Sequence, residues 1–213
     1  GAIDWTKPRG AGAEFAFIRA GQGLTLDTRF RENWAGGKGR IPRGAYQFLD
    51  YRANAAQQAR QLMAWLGSDR GELPPVLDWE KNSYWPEDMP TGAAALSIIK
   101  AWVDTIISID GRKPIFYSNP AHIALLGTIP DWLKALPLFI AHYGAIKPDV
   151  RGWSNWTFWQ YALGKGQGPT YGTTGLDIDL DYFNGDRAAL DALLTGPHTQ
   201  PDDNEEPTMS IYE

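Results

Sequence analysis

Six short apolar runs set the terms on which this chain can fold. Ala16–Ala20, Gly44–Phe48, Val76–Glu80, Pro114–Ser118, Leu138–His142 and Thr157–Tyr161 are rich in β-branched and aromatic residues and bounded by glycine or proline, which reads as buried strands. Helix-like stretches separate them. Asn54 is placed to cap one, with Gln57 three residues on and Gly67 after its last turn; Thr91 opens another over Ala93–Ile109, which stops at Asp110-Gly111; Asp186 starts a short one to Leu194. Strand–helix alternation with crossover-length connections predicts a mainly parallel sheet. Adding Ala2-Ile3-Asp4 and Leu176–Leu180 brings the strand-like pieces to eight. That number predicts an α/β fold, an irregular TIM-like (β/α) barrel, as a single domain over residues 1–195. Gly21-Gln22-Gly23 lacks the third glycine of a dinucleotide-binding turn and leads into no clear helix. Residues 196–213 are acidic and contain proline, and read as a tail or linker.

Composition removes several function classes. The net charge of −5 argues against a nucleic-acid partner. The absence of cysteine excludes disulfides, thiolate catalysis and sulfur-bound zinc. With no His-x-x-x-His, no calcium-type aspartate loop and no phosphate loop, neither metal nor cofactor is expected. No apolar run approaches the ~20 residues of a membrane span, so no membrane insertion is expected. The chain begins on strand-like residues rather than a signal-peptide pattern, which decides nothing about export. Ten tryptophans are unusual for this length, and sugar clefts are a natural home for those the core does not use.

Many of the strand-like runs carry a polar residue at or near their end: Asp4, Arg19, Gln47, Asp78 with Glu80, Tyr117, His142, Gln160 and Asp179. In a barrel of parallel strands such positions gather around one mouth. A single aspartate there is as often a helix cap, but a set of this size is harder to dismiss. Asp78 and Glu80 are the sharpest pair. Residues two apart on a strand share a face, roughly 6.5 Å apart. Two acids that close, leaving the apolar run Leu73–Leu77, repel unless one holds a proton, which is the division of labour a glycosidase uses. The competing reading is a surface ion pair with Lys81. Trp79 points to the other side of its strand and reads as packing. The spacing alone does not separate a retaining from an inverting mechanism. His142 has no serine or cysteine nucleophile motif near it, and His122 and His198 look incidental.

The chain resembles glycoside hydrolase family 25, the Chalaropsis-type muramidases, over about residues 1–195 and with its motifs in order. Gly1–Asp4 is similar to the opening strand, Phe17–Ala20 with Gly21-Gln22-Gly23 to the second, and Asp27–Phe30 with Asn33-Trp34 to the loop and helix after it. Arg43–Phe48 resembles the third strand and Leu73–Glu80 the catalytic one. Ile115–Asn119, Ile140–Tyr143, Trp156–Tyr161 and Ile178–Phe183 follow. The resemblance implies Glu80 as general acid and Asp78 as its partner, either orienting the substrate's 2-acetamido group or acting on water. It implies Asp4 and Asp179 as further cleft acids; Asp181 points the same way as Asp179 and competes for that place. Tyr46, Tyr117, Tyr143, Gln160 and Arg19 are expected to contact substrate. The family commonly has histidine where Gln47 stands, and Trp5-Thr6 replaces its usual residues after the first strand; both changes are expected to bear on subsite preference.

The implied reaction is hydrolysis of the β-1,4 bond between N-acetylmuramic acid and N-acetylglucosamine in bacterial cell-wall peptidoglycan. The protein is expected to act as a monomer, extracellularly or after delivery by a phage. Two other readings stay open: a wall-binding module that kept the cleft without turnover, and a barrel glycosidase for another polysaccharide.

Overall fold

A computed structural model describes residues 1–83, 86–195 and 208–212. After a 3-10 turn at Pro8–Ala11 come β1 (Ala16–Gln22), β2 (Thr25–Leu26), α1 (Phe30–Gly37), β3 (Arg43–Phe48), α2 (Ala55–Leu66) and β4 (Val76–Asp78). The long helix α3 (Gly92–Asp110) leads to β5 (Ile115–Ser118), two short helices α4 (Pro120–Ala124) and α5 (Asp131–Lys134), and β6 (Leu138–Ala141). β7 (Phe158–Gly164), β8 (Ile178–Phe183), α6 (Arg187–Thr195) and β9 (Thr208–Tyr212) complete the order. The caps read from sequence mark real ends. The Asn54 side chain accepts from the Gln57 N–H at 2.8 Å, Gly111 closes α3 with φ +79°, and Asp186 accepts from the Ala189 N–H at 2.8 Å. Thr91 occupies the N-cap of α3 without a side-chain bond.

These elements form a mixed α/β single domain around one curled sheet of order β2-β1-β3-β4-β5-β6-β7-β8-β9. β1 and β3 through β7 run parallel, as the crossover helices require, whereas β2 and β8 are antiparallel to their neighbours. Two expectations need correction. Ala2–Asp4 forms no strand: Ile3 makes an isolated bridge to Thr173, and the surrounding amides bond to the loop around Gly172. The segment expected to be tail, residues 196–213, instead contributes β9, which pairs antiparallel with β8 and parallel with β1. Residues 196–207 and Glu213 lie outside the described residues.

Alternation along the strands sorts side chains into two cores. Outward residues such as Ile18, Leu77, Phe116, Ile140 and Trp159 pack under the helices. Inward residues form a second cluster: Phe15, Phe17, Phe139, Phe158 and Phe183 interlock with ring centroids 5.0–5.7 Å apart. Leu190 and Leu193 of α6 belong to the same cluster. Gly44 makes room for this layer, since a Cβ there would stand 2.5 Å from the Phe17 ring. The interior is therefore dry at its base, and polar residues are confined to its upper end.

Helix α3 is long and apolar enough by composition to cross a membrane, contrary to the sequence-level expectation. Its buried residues, Ala95, Ile99, Trp102, Val103 and Ile106, are spent on the core instead, and Lys100 pairs with Asp104 on the exposed side at 2.8 Å.

At the start of β3 the Arg43 guanidinium is wholly buried. It stacks on Trp34 at 4.3 Å and pairs with Asp69 and Glu72, each at 3.0 Å. Burial alone would raise both carboxyls, but the hydrogen bonds and charge of Arg43 outweigh it and hold both below their ordinary values. Removing one partner of a buried pair strands the others. Arg43→Met is expected to cost about 3 kcal/mol, read as a lower urea midpoint at unchanged slope. The depressed carboxyls add stability above their unfolded pKa values that is lost as pH falls through the folded ones. The difference between variant and wild type should therefore shrink in acid.

Candidate active site

β4 sets the centre of the site by simple alternation. Trp79 is fully buried toward the helices, while Asp78 and Glu80 on either side of it turn into a cleft of about 530 Å³. Backbone pairing holds this geometry past the end of β4: the Leu49 N–H donates to the Asp78 carbonyl at 3.1 Å and the Trp79 N–H to that of Tyr117 at 2.9 Å. The Ser118 hydroxyl locks the Trp79 carbonyl at 2.6 Å. The cleft is lined further by Arg19 and Gln22 of β1, Tyr46 and Phe48 of β3, Lys81, Asn82 and Ser83 after β4, and Tyr117, Tyr143, Gln160 and Asp179. Every expected substrate-contact residue is thus at one mouth.

Among the expected acids, Asp78, Glu80 and Asp179 meet there and Asp4 does not. Asp4 is exposed, its carboxylate accepting from the Thr6 amide at 3.1 Å and hydroxyl at 2.6 Å. These bonds hold its pKa below the ordinary value, the behaviour of a surface turn rather than of a cleft acid. Gln47 is also off the site. It is buried on the helix side, donating to the Gly23 and Gln58 carbonyls at 2.8 and 3.0 Å and accepting from the Trp102 indole at 2.7 Å. Its exchange for histidine is therefore a packing matter.

The strand direction of β8 decides between Asp179 and Asp181. Because β8 is antiparallel to β7, its first residues lie at the mouth, and Asp179 is the one in the cleft. Asp181, opposite Gln160 in the register, sits deeper and is fully buried, with neither carboxyl oxygen bonded among the described residues. Burial, reinforced by Asp179, pushes its pKa well up.

A tyrosine pair organises the far wall. The Tyr117 and Tyr143 hydroxyls donate to the same Gln160 carbonyl oxygen at 2.9 and 2.7 Å, and Tyr143 also lies 3.3 Å from the Asp179 carboxylate. On the opposite side Arg19 donates to the Gln22 carbonyl oxygen at 3.1 Å. Several buried polar atoms are left without a partner among the described residues: one Asp78 oxygen, the Gln160 amide nitrogen and Arg19 Nε. Buried groups of this kind are costly unless something bonds them, and a polyhydroxylated ligand supplies such bonds.

Burial dominates the electrostatics. Asp78, 3% exposed, is pushed well up by burial and by the charge of Glu80, against the pull of Arg19. Glu80 is raised to about 7 by burial and Asp179, again opposed by Arg19. Asp179 rises to about 6 by burial, moderated by its bond to Tyr143. Glu80 can therefore hold a transferable proton near neutrality beside Asp179, which gives up its own at lower pH.

Sequence reasoning missed the loop residues. Lys81, Asn82 and Ser83 follow the acid pair directly and were legible by adjacency; Gln22 and Phe48 close strands whose registry was not. A neighbouring pocket of about 470 Å³ shares Glu80, Tyr117 and Tyr143 with the cleft and adds Asn119, Pro120, Ala121, Ala141, His142 and Arg151. No cluster of metal-ligating side chains occurs among the described residues.

Comparison with known proteins agrees with this geometry. The family model for Glycosyl hydrolases family 25 matches residues 1–167. Lysozyme M1 of Streptomyces globisporus is 30% identical over 211 residues, covering 91% of this chain and 67% of that protein. The N,O-diacetylmuramidase of a Chalaropsis species is 27% identical over 208 residues, covering 92% and 94%. The crystal structure of the bacterial lysozyme from Streptomyces coelicolor superposes with a TM-score of 0.79 at 29% identity, covering 91% of this chain and 92% of that one. A curled sheet carrying paired acids at the end of its fourth strand is the framework of a glycoside hydrolase, and this chain belongs to glycosyl hydrolase family 25.

A raised carboxyl pKa has a stability signature. Glu80 binds its proton more tightly folded than unfolded, so its contribution favours folding at low pH and opposes it as pH rises through the window from about 4.5 to about 7. Glu80→Gln, which keeps the shape without the charge, is expected to melt higher than wild type at pH 8. The gain should vanish at pH 4, as thermal scans at both pH values would show.

Proposed function

We propose that the protein is a peptidoglycan muramidase that hydrolyses the β-1,4 bond between N-acetylmuramic acid and N-acetylglucosamine. The observation that carries this reading is Glu80, a carboxyl raised to about 7, sharing one cleft with Asp78 and Asp179 in a family 25 chain. Glu80 donates its proton to the glycosidic oxygen as the bond breaks. Positive charge then develops at the sugar's anomeric centre. Asp179, raised only to about 6, is ionised at neutrality and stabilises that cation electrostatically. Asp78 lies deeper, with one oxygen unbonded among the described residues, which suits it to hold the 2-acetamido group or an attacking water. Tyr117 and Tyr143, tied to Gln160, present a wall for the sugar ring.

The related proteins are lysozymes and muramidases by name, which supports action on the bacterial wall, outside the producing cell or by phage delivery. We read the curled sheet as an irregular member of the TIM-like barrels, with β8 reversed against both β7 and β9. The alternative of a binding module without turnover fits poorly, because a module that only binds gains nothing from desolvated, mutually repelling acids.

Clearing of a purified wall suspension tests the assignment, with mass spectrometry of the new reducing ends. Muramic acid at those ends is expected; glucosamine ends, or no cleavage, would refute it. Glu80→Gln should lower the rate by about a thousandfold. Asp179→Asn should also impair it, whereas Asp4→Asn should clear walls at close to the wild-type rate, since its carboxylate is outside the cleft. Activity should fall as pH rises past about 7, where Glu80 loses the proton it must donate. Asp179→Asn removes a negative neighbour and should move that limb to lower pH.

A further inference from the structure

The pocket beside the cleft has an arginine on its rim that the reaction described above does not use. Arg151 is the one non-glycine residue with positive φ (+50°) among those described, a conformation that a long side chain adopts rarely and at a cost. Both flanks hold it there. Val150 packs partly buried against the outer core, and Trp153 is buried, stacked on Phe116 with centroids 5.7 Å apart and its indole N–H bonded to the Leu136 carbonyl at 3.1 Å. Between these anchors the chain turns through Arg151 and Gly152, whose φ is +105°.

Asp149 then aims the side chain. One of its oxygens accepts from the Arg151 amide at 3.1 Å and the other from Arg151 Nε at 3.0 Å. The Asp149 amide is itself fixed by His142 Nδ1 at 3.1 Å. With Nε occupied, the outer Nη pair has no partner among the described residues. Two parallel N–H donors presented in this way match a carboxylate. Arg151 and Glu80 line the same pocket. Pro120, Ala121, Ala141 and the half-exposed Tyr143 line it with them. Small apolar side chains and an aromatic ring beside one cation suit a sugar ring that carries an acid group.

We infer that Arg151 is a specificity residue that pairs, through its outer guanidinium nitrogens, with a carboxylate on the lactyl arm of a muramyl residue. The inference rests on the muramidase reading and deepens it. Within a wall glycan the sugar rings are neutral, so this arm is where acid groups occur. The carboxylate is the lactyl acid itself in glycan stripped of peptide, or a stem carboxylate where the peptide remains.

Arg151→Asn is the informative variant, because asparagine tolerates positive φ and removes the guanidinium without straining the loop. Its kcat/KM is compared with that of wild type on three substrates: glycan strands freed of peptide by an amidase, intact strands, and both after carbodiimide amidation of their carboxyls. The ratio of kcat/KM on carboxylate-bearing over amidated glycan should fall roughly tenfold in the variant, mostly through KM. Arg151→Lys, which keeps the charge but loses the fork, should recover part of it. A fall confined to stripped strands identifies the lactyl acid, and one confined to intact strands the stem. An unchanged ratio, or equal losses on amidated and carboxylate-bearing glycan, overturns the inference and leaves the muramidase reading standing. No cleavage of any glycan by the wild type overturns both.

Discussion

The site depends on a dry aromatic floor. Five interlocked phenylalanines fill the lower interior of the curled sheet, so the residues one step higher on each strand are held against a surface that cannot solvate charge. Asp78, Glu80, Asp179 and Asp181 all have raised carboxyl pKa values with burial as the largest cause. The packing of the base and the proton inventory of the mouth are therefore one property. A looser floor would admit water and let the acids ionise together.

The molecule handles buried charge in two opposite ways. Beneath β3, Arg43 is neutralised by two carboxylates and a stacked indole, and those carboxylates are held in their ionised form. In the cleft a single arginine, Arg19, faces several acids and does not balance them. The first arrangement fixes structure. The second leaves proton affinity unspent, which is what an acid catalyst requires. Buried polar atoms without partners mark the same contrast, since one oxygen of Asp78 and the amide nitrogen of Gln160 are among them.

Much of this was legible in the sequence because strand alternation is a strict rule. Once Val76–Glu80 is a strand, Trp79 must face away from Asp78 and Glu80, and it does. The caps at Asn54, Gly111 and Asp186 were legible for the same local reason. What failed was non-local. Asp4 follows two apolar residues as a strand-end acid would, yet its segment bonds to the Gly172 loop instead of to a strand neighbour. The polar composition of residues 196–207 hid that Thr208–Tyr212 could pair with β1 and β8. Gln47 shares a strand with Tyr46 but faces the opposite way, and only the register says which of the two meets substrate. Arg151 gave no signal at all, because its position follows from a backbone turn fixed by Val150 and Trp153.

The reversal of β8 has a further consequence for how such a site can vary. On the parallel strands the residues that reach the mouth are followed by the loops above it, so changes there come after the acid in the chain. On β8 the order is inverted: the connection from Lys165 to Asp177 comes first, and Asp179 is the second residue of its strand. Insertions in that connection would lengthen the wall over the cleft while acting on Asp179 from upstream. The acid that adjusts Glu80 is thus wired to a different stretch of chain from Glu80 itself, and the two can drift independently.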